Sequence, residues 1–168
     1  DIVNDISGFR FDDNMAKVVA EYKCPAVIMH TKGRPKEMQK NPYYEDVVSE
    51  IIDYLQKSIE IGAKEGVDIE KLIVDPGIGF GKRVEDNLCI LKRLSELRIL
   101  GRPILIGASR KSFIGKITKV DEPKERLAGS LAAATVAVMK GAKIIRAHDV
   151  KETVQAIEIA NSIEGIEC

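Results

Sequence analysis

The chain has 168 residues, 45% of them hydrophobic and 31% charged, with 26 Lys plus Arg set against 26 Asp plus Glu. That is enough apolar material for one ordinary domain with a core, and too much for a disordered segment. The balanced charge provides no global field for nucleic acid or an anionic membrane, and no apolar run approaches the ~18 residues of a membrane span.

Cysteine usage narrows the setting. Cys24, Cys89 and Cys168 are odd in number and form no CxxC, which argues against a disulfide framework or a zinc site. A reduced, cytoplasmic environment is the simplest reading. The two histidines, His30 and His148, are too few for a His-rich metal site. The chain opens at Asp1 inside an apparent strand, "DIVND", with no initiator Met and no signal-peptide pattern. The expectation is therefore a fragment of a longer protein.

Taken in order, five short apolar runs read as strands: 1–4, 26–30, 71–75, 102–107 and 143–147. They lack polar alternation, as parallel strands covered on both faces do. Helical patterns fill the gaps. Asn41 with Pro42 reads as an N-cap and first helical position, followed by an apolar stripe through Val48, Ile51, Ile52, Leu55 and Ile59. Leu88, Leu91 and Leu94 share a second helical face. Residues 126–141 are small or apolar nearly all round, which predicts a well-buried helix ended by Gly141. Asp149 and Glu152 resemble a capping box opening a last helix that carries Val154, Ile157 and Ile163. No linker or composition shift divides residues 1–168, so one domain is expected. Strand–helix alternation repeated five times means α/β with a parallel sheet, either open and doubly wound or part of a (β/α)8 barrel; closure needs eight strands and typically ~250 residues.

Every one of these strands runs into polar residues. They are Asn4-Asp5, then His30-Thr31-Lys32-Gly33, then Asp75 with the loop "PGIGFGK", then "GASRKS" from Gly107, then Arg146-Ala147-His148-Asp149. Carboxyl ends of parallel strands are where α/β folds build their sites. Each feature also has a plain structural reading. Asp5 and Asp149 serve as helix caps, His30 satisfies a backbone carbonyl, the glycine loop is a tight turn, and Arg110 and Lys111 form a solvated face. The loop is neither a dinucleotide fingerprint, which needs glycine at Lys82, nor a Walker A loop, which needs Gly at Pro76 and Ser or Thr at Arg83. Polar groups at all five ends together favour a ligand site. Asp75 can accept two parallel hydrogen bonds from a heterocycle with a ring N–H beside an exocyclic amine, and Asn4 offers a donor and an acceptor to a similar edge. Lys111, Arg146 and His148 suit a phosphate or a departing diphosphate. The glycines would let a ligand approach the backbone.

The segments "IVNDISG", "MHTKG.P..MQ", "LIVDPGIGFGK", "IGASRKSFIG" and "IIRAHDV", in this order, resemble the carboxyl-terminal part of dihydropteroate synthases over essentially the whole chain. The resemblance implies a TIM (β/α)8 barrel family, here only about the last five β-α units, with the first three absent. It implies condensation of 6-hydroxymethyl-7,8-dihydropterin diphosphate with 4-aminobenzoate, giving 7,8-dihydropteroate and diphosphate in folate biosynthesis, and sensitivity to sulfonamides. Carried onto this sequence, Asn4, Met29, Asp75, Gly107, Lys111 and Arg146 match pterin contacts. Phe80 and Ser112 match positions near the aminobenzoate, and Arg146 and His148 match the diphosphate pair. Lys111, Arg146 and His148 are the residues implied in catalysis. The resemblance also implies Mg2+, with its ligand in the absent amino-terminal part and none in this chain. Two readings compete: a pterin-binding domain without synthase activity, as in methyltetrahydrofolate methyltransferases, and an inactive fragment. Unpaired edges at the first and last strands would favour a homodimer or other self-association.

Overall fold

A computed structural model describes residues 1–33 and 42–166. All five strands form, shorter than their apolar runs: β1 (Val3–Asp5), β2 (Ala26–Met29), β3 (Leu72–Asp75), β4 (Leu105–Ile106) and β5 (Ile144–Ile145). Among the described residues, six α-helices lie between and after them: α1 (Met15–Tyr22), α2 (Val47–Lys64), α3 (Val84–Lys92), α4 (Ser112–Thr118), α5 (Leu127–Met139) and α6 (Val150–Glu164). Pairing is parallel throughout and keeps to chain order. β1, β2 and β3 form one ladder and β4 pairs with β5, while an isolated parallel bridge from Val74 to Ile104 joins the two groups. Among the described residues β1 pairs only with β2, and β5 only with β4.

The core lies between the sheet and its helices. Ile28, Leu72, Val74, Ile104 and Ile106 from the strands meet Val48, Ile51 and Leu55 of α2, with Leu94 and Leu97 from the 3-10 turn after α3. The predicted stripe on α2 is thus buried, apart from half-buried Ile52. Its start is not where the sequence suggested. The helix begins at Val47, and Asp46 caps it by accepting from the Val48 and Ser49 amides at 3.0 Å each. Pro42 precedes the helix, and Asn41 lies outside the described residues. A side-chain oxygen outweighs the pre-set φ of proline because it satisfies two otherwise orphaned amides.

Four helical expectations need correction. Leu88 on α3 is 44% exposed, while Leu91 and Leu94 are buried. On α5 only Ser130, Ala133, Ala134 and Ala137 are buried, whereas Val136 and Met139 are exposed. α5 packs against α6, and side chains as small as those of α5 let two helices approach closely. On α6 the buried positions are Thr153 and Ala160, so Val154 and Ile163 of the expected stripe face outward. Asp149 makes no side-chain cap on α6, because its carboxylate is taken by Arg110. Gly141 does end α5 at φ +101°, with its amide donating to Val138 O.

Asp5 was expected to cap a helix and instead organises the loop after β1. Its Oδ1 accepts from the Ser7 amide and hydroxyl, and its Oδ2 from the Phe9 amide at 2.6 Å. Tyr54 of α2 donates its hydroxyl to Ser7 O, and Arg10 stacks over the Tyr54 ring. Asp5→Ala would strand those buried donors. It should destabilise the chain by roughly 2–4 kcal/mol, measured as a lower urea midpoint with unchanged m-value.

Candidate active site

At the carboxyl ends of the strands lies an open cleft of about 530 Å³, lined by Asn4, Ile6, Phe80, Gly107, Ser109, Lys111, Arg146, Ala147 and His148. Its centre is Arg146, just past β5. The guanidinium donates through Nη1 to Asn4 Oδ1 and through Nη2 to Asp75 Oδ2, at 2.9 Å each. One side chain therefore links the ends of β1, β3 and β5. It can do so because residue 107 has no side chain: a Cβ on Gly107 would lie 3.0 Å from Nη2 and 3.1 Å from Nε.

Asp75 is 1% exposed. Besides Arg146, it accepts from the Gly77 amide at 2.7 Å. Burial pushes its carboxyl up, opposed by the Gly77 amide, Arg146 and Lys82. Met29, its register partner on β2, is buried and does not line the cleft.

The glycine loop after β3 is spent mostly on packing rather than on room for a ligand. Gly77 (φ +70°) lies so close to the His30 carbonyl that a Cβ would collide with it, and a Cβ on Gly81 (φ +62°) would fall 2.6 Å from Lys32 O. Only glycine tolerates both the backbone and the contact. The loop presents Phe80 to the cleft, with Lys111 Nζ 4.3 Å from the ring centre, a cation–π contact. Burial, then Arg146, lowers the Lys111 ammonium's proton affinity, while Asp75 raises it.

The "SRKS" turn is clamped from outside the cleft. Arg110 adopts φ +58°, its amide donates to Ser130 Oγ at 2.9 Å, and its carbonyl accepts from Arg126. Its guanidinium forms a fork with Asp149, holding that carboxyl below the usual range. Arg110 therefore braces the turn, and its neighbours Ser109 and Lys111 face the cleft. Ser109, which sequence reasoning did not single out, has its Oγ 3.0 Å from His148 Nδ1 and accepts from the His148 amide at 3.2 Å. Ser109 therefore holds both the ring and the backbone of His148 at the mouth of the cleft. Ser112 opens α4, is exposed and does not line the cleft.

His30 and Lys82 were also missed as a pair. Both are buried, with Lys82 Nζ 2.9 Å from His30 Nδ1 and 3.0 Å from Phe80 O. Burial, with Lys82 second, holds the imidazole well below its usual range, so it is neutral, and Nδ1 accepts from the ammonium. Among the described residues no group of three or more His, Cys, Asp or Glu converges as a metal would require. Cys24 and Cys89 are free and half-buried outside the cleft lining, and Cys168 lies outside the described residues. No described helix is long and apolar enough to cross a membrane.

The sequence pattern of the family described as "Pterin binding enzyme" fits residues 1–148. The chain belongs to the pterin-binding enzyme family. It is similar to the dihydropteroate synthase of Synechocystis sp., 42% identical over 163 residues, covering 97% of this chain and 56% of that protein. The Yersinia pestis dihydropteroate synthase with a sulfonamide drug superposes with a TM-score of 0.95 at 40% identity, covering 99% of this chain and 60% of that one. The Xanthomonas albilineans enzyme in complex with 7,8-dihydropteroate gives 0.91 at 36% identity, covering 99% and 60%. The chain thus spans little more than half the length of its curated relatives.

The buried Lys82 affects stability in a pH-dependent way. Burial lowers its pKa from 10.5 to about 7. Between those values the unfolded chain binds the extra proton, so this group's contribution to stability rises with pH from about 7 to 10.5. Unfolding titrations across that window should show the rise in the unaltered chain, and Lys82→Met should remove it.

Proposed function

We propose that this chain carries the pterin- and diphosphate-binding part of a dihydropteroate synthase: residues 1–168 as one domain, made of about the last five β-α units of a TIM barrel. The observation that carries this reading is the pairing of Arg146 with Asn4 and Asp75. A guanidinium is a planar array of N–H donors. The ring N–H and exocyclic amine of a pterin form a cyclic guanidine edge with much the same array. The buried Asp75 carboxylate is therefore shaped for that edge, with Arg146 standing in for it when no ligand is bound. On binding, the pterin takes the Asp75 oxygen and Arg146 turns toward the diphosphate.

The reaction needs no enzyme nucleophile. The amine nitrogen of 4-aminobenzoate bonds to the pterin methylene carbon as the carbon–oxygen bond to diphosphate breaks, and the nitrogen gives its proton to water or to the departing diphosphate. Positive charge develops on the dihydropterin, which the Asp75 carboxylate stabilises. Negative charge collects on the leaving group, where Arg146 and His148 donate. Lys111 adds charge at the pterin. Phe80 offers a ring face for aminobenzoate, with Ser112 at the rim of that subsite, Met29 supporting Asp75 and Gly107 leaving space for the Arg146 swing. The described residues do not assemble a magnesium site, and no step here passes through that ion.

The relatives bound to a sulfonamide and to 7,8-dihydropteroate support this substrate class. We extend the reading to a cytoplasmic protein that self-associates, because Ile2, Val150, Ile159 and Ile163 leave substantial apolar surface uncovered. Sedimentation at rising concentration should show association, and a monomer throughout would refute it.

Two substitutions test the site. Asp75→Asn places an amide donor opposite a ring donor, so pterin affinity should fall by roughly 2–4 kcal/mol in calorimetry. Affinity within about threefold of the unaltered chain, under 1 kcal/mol, would remove Asp75 from the site. Arg146→Ala should weaken the pterin diphosphate far more than the pterin alcohol; equal losses would end its diphosphate role.

A further inference from the structure

Lys82 and His30 have no part in the chemistry just described, although both are titratable and at most 5% exposed. We propose that Lys82 is a positioning residue for the ligand site: held between the His30 imidazole and the Phe80 carbonyl, its ammonium pins the glycine loop and lends a buried positive charge to Asp75.

The geometry acts at two places. By donating to Phe80 O, Lys82 fixes the backbone of the residue whose ring stacks on Lys111. By donating to His30 Nδ1, it ties that loop to the end of β2, while the His30 amide donates to Asp75 O at 2.9 Å. The imidazole is itself held by the Tyr54 ring, edge-on with centroids 4.7 Å apart, and by Tyr44. The loop cannot slide, because Gly77 and Gly81 already press on the backbone at residues 30 and 32.

The charges around the pair fix the sign of the effect. Lys82 is faced by His30 from β2, Asp75 from β3, Asp86 from α3 and Lys111 from the turn after β4. His30 is faced by Lys82, Lys32 and Arg10, all cationic, so it stays neutral and contributes no charge of its own. Asp75 then has two nearby cations that favour its ionised form most, Arg146 from the cleft and Lys82 from the buried side. Arg146 is drawn away when a ligand takes its oxygen, and Lys82 is not. In the bound state Lys82, on the buried side, and Lys111, on the cleft side, are therefore the cations left to keep Asp75 a carboxylate, the form that accepts two donors. At acid pH, where Asp75 protonates, Lys82 is fully charged.

The proposal rests on Asp75 being the pterin acceptor. The probe is 6-hydroxymethylpterin, which lacks phosphate and so bypasses the diphosphate subsite, titrated calorimetrically into the whole chain from about pH 4 to pH 8. Lys82→Met should shift the acid limb of binding to higher pH by about one unit, the lower end of the effect of one close opposite charge. His30→Gln, which keeps an acceptor and removes no charge, should leave that limb in place. A folded Lys82→Met chain with an unmoved acid limb would show only packing and overturn the proposal. If Asp75→Asn binds the probe as well as the unaltered chain, or the unaltered chain does not bind, the site reading fails and this one with it. If Asp75→Asn abolishes binding while Lys82→Met does not shift the limb, only the present proposal fails. An independent check uses 15N NMR of the unaltered chain. At neutral pH His30 Nδ1 should read as an unprotonated, hydrogen-bonded acceptor; a protonated Nδ1 would overturn the Lys82 contact.

Discussion

A carboxylate at the end of a buried strand has to be answered by donors, and the arrangement of the cleft depends on how Asp75 is answered. Taking an ionised carboxyl out of water is costly unless hydrogen bonds and opposite charge replace the lost solvent. Asp75 receives an amide proton from Gly77, a guanidinium from Arg146 and the field of Lys82. Each donor imposes a structural demand. The Gly77 amide requires a turn immediately after β3. Arg146 requires β5 to reach across toward β1 and β3, and Lys82 requires the glycine loop to fold back under itself.

Those demands explain why the rim loops are rigid in such different ways. The glycine loop is held from within, by backbone contacts too close for any side chain and by a lysine buried beneath it. The "SRKS" turn is held from outside, by Ser130 and Arg126 around α5 and by Asp149 at the start of α6. The result is a cleft whose supporting backbone is held at many points. Such preorganisation lets donors meet developing charge without first rearranging.

The same interactions concede stability near the cleft. Burial works against both charges, pushing the Asp75 carboxyl up and the Lys82 ammonium down. Arg110 occupies a left-handed backbone conformation that a residue with a Cβ adopts only under constraint. Local strain and buried charge of this kind are ordinary at binding sites and unusual in a purely structural turn.

Much was legible in the chain itself. Period and composition identified all five strands, the helices α2, α3, α5 and α6 and the polar strand ends, because apolar patterning and punctuation by glycine are local signals, while the short helices α1 and α4 were not singled out. They also pointed to Asn4, Asp75, Lys111, Arg146 and His148, since polar groups after apolar strands are conspicuous. What only the tertiary structure decided were the partners. Arg146 and Asn4 are 142 positions apart, and nothing local says that they bond. Asp149 reads as a helix cap until Arg110 is brought beside it, and Asp46 displaces Asn41 and Pro42 as the start of α2 because a carboxylate satisfied two amides there. The outward-facing residues of α5 and α6 look like core by composition. Burial depends on which neighbours a face meets, and hydrogen bonding on which side chains converge; both are properties of the folded arrangement rather than of any window of sequence.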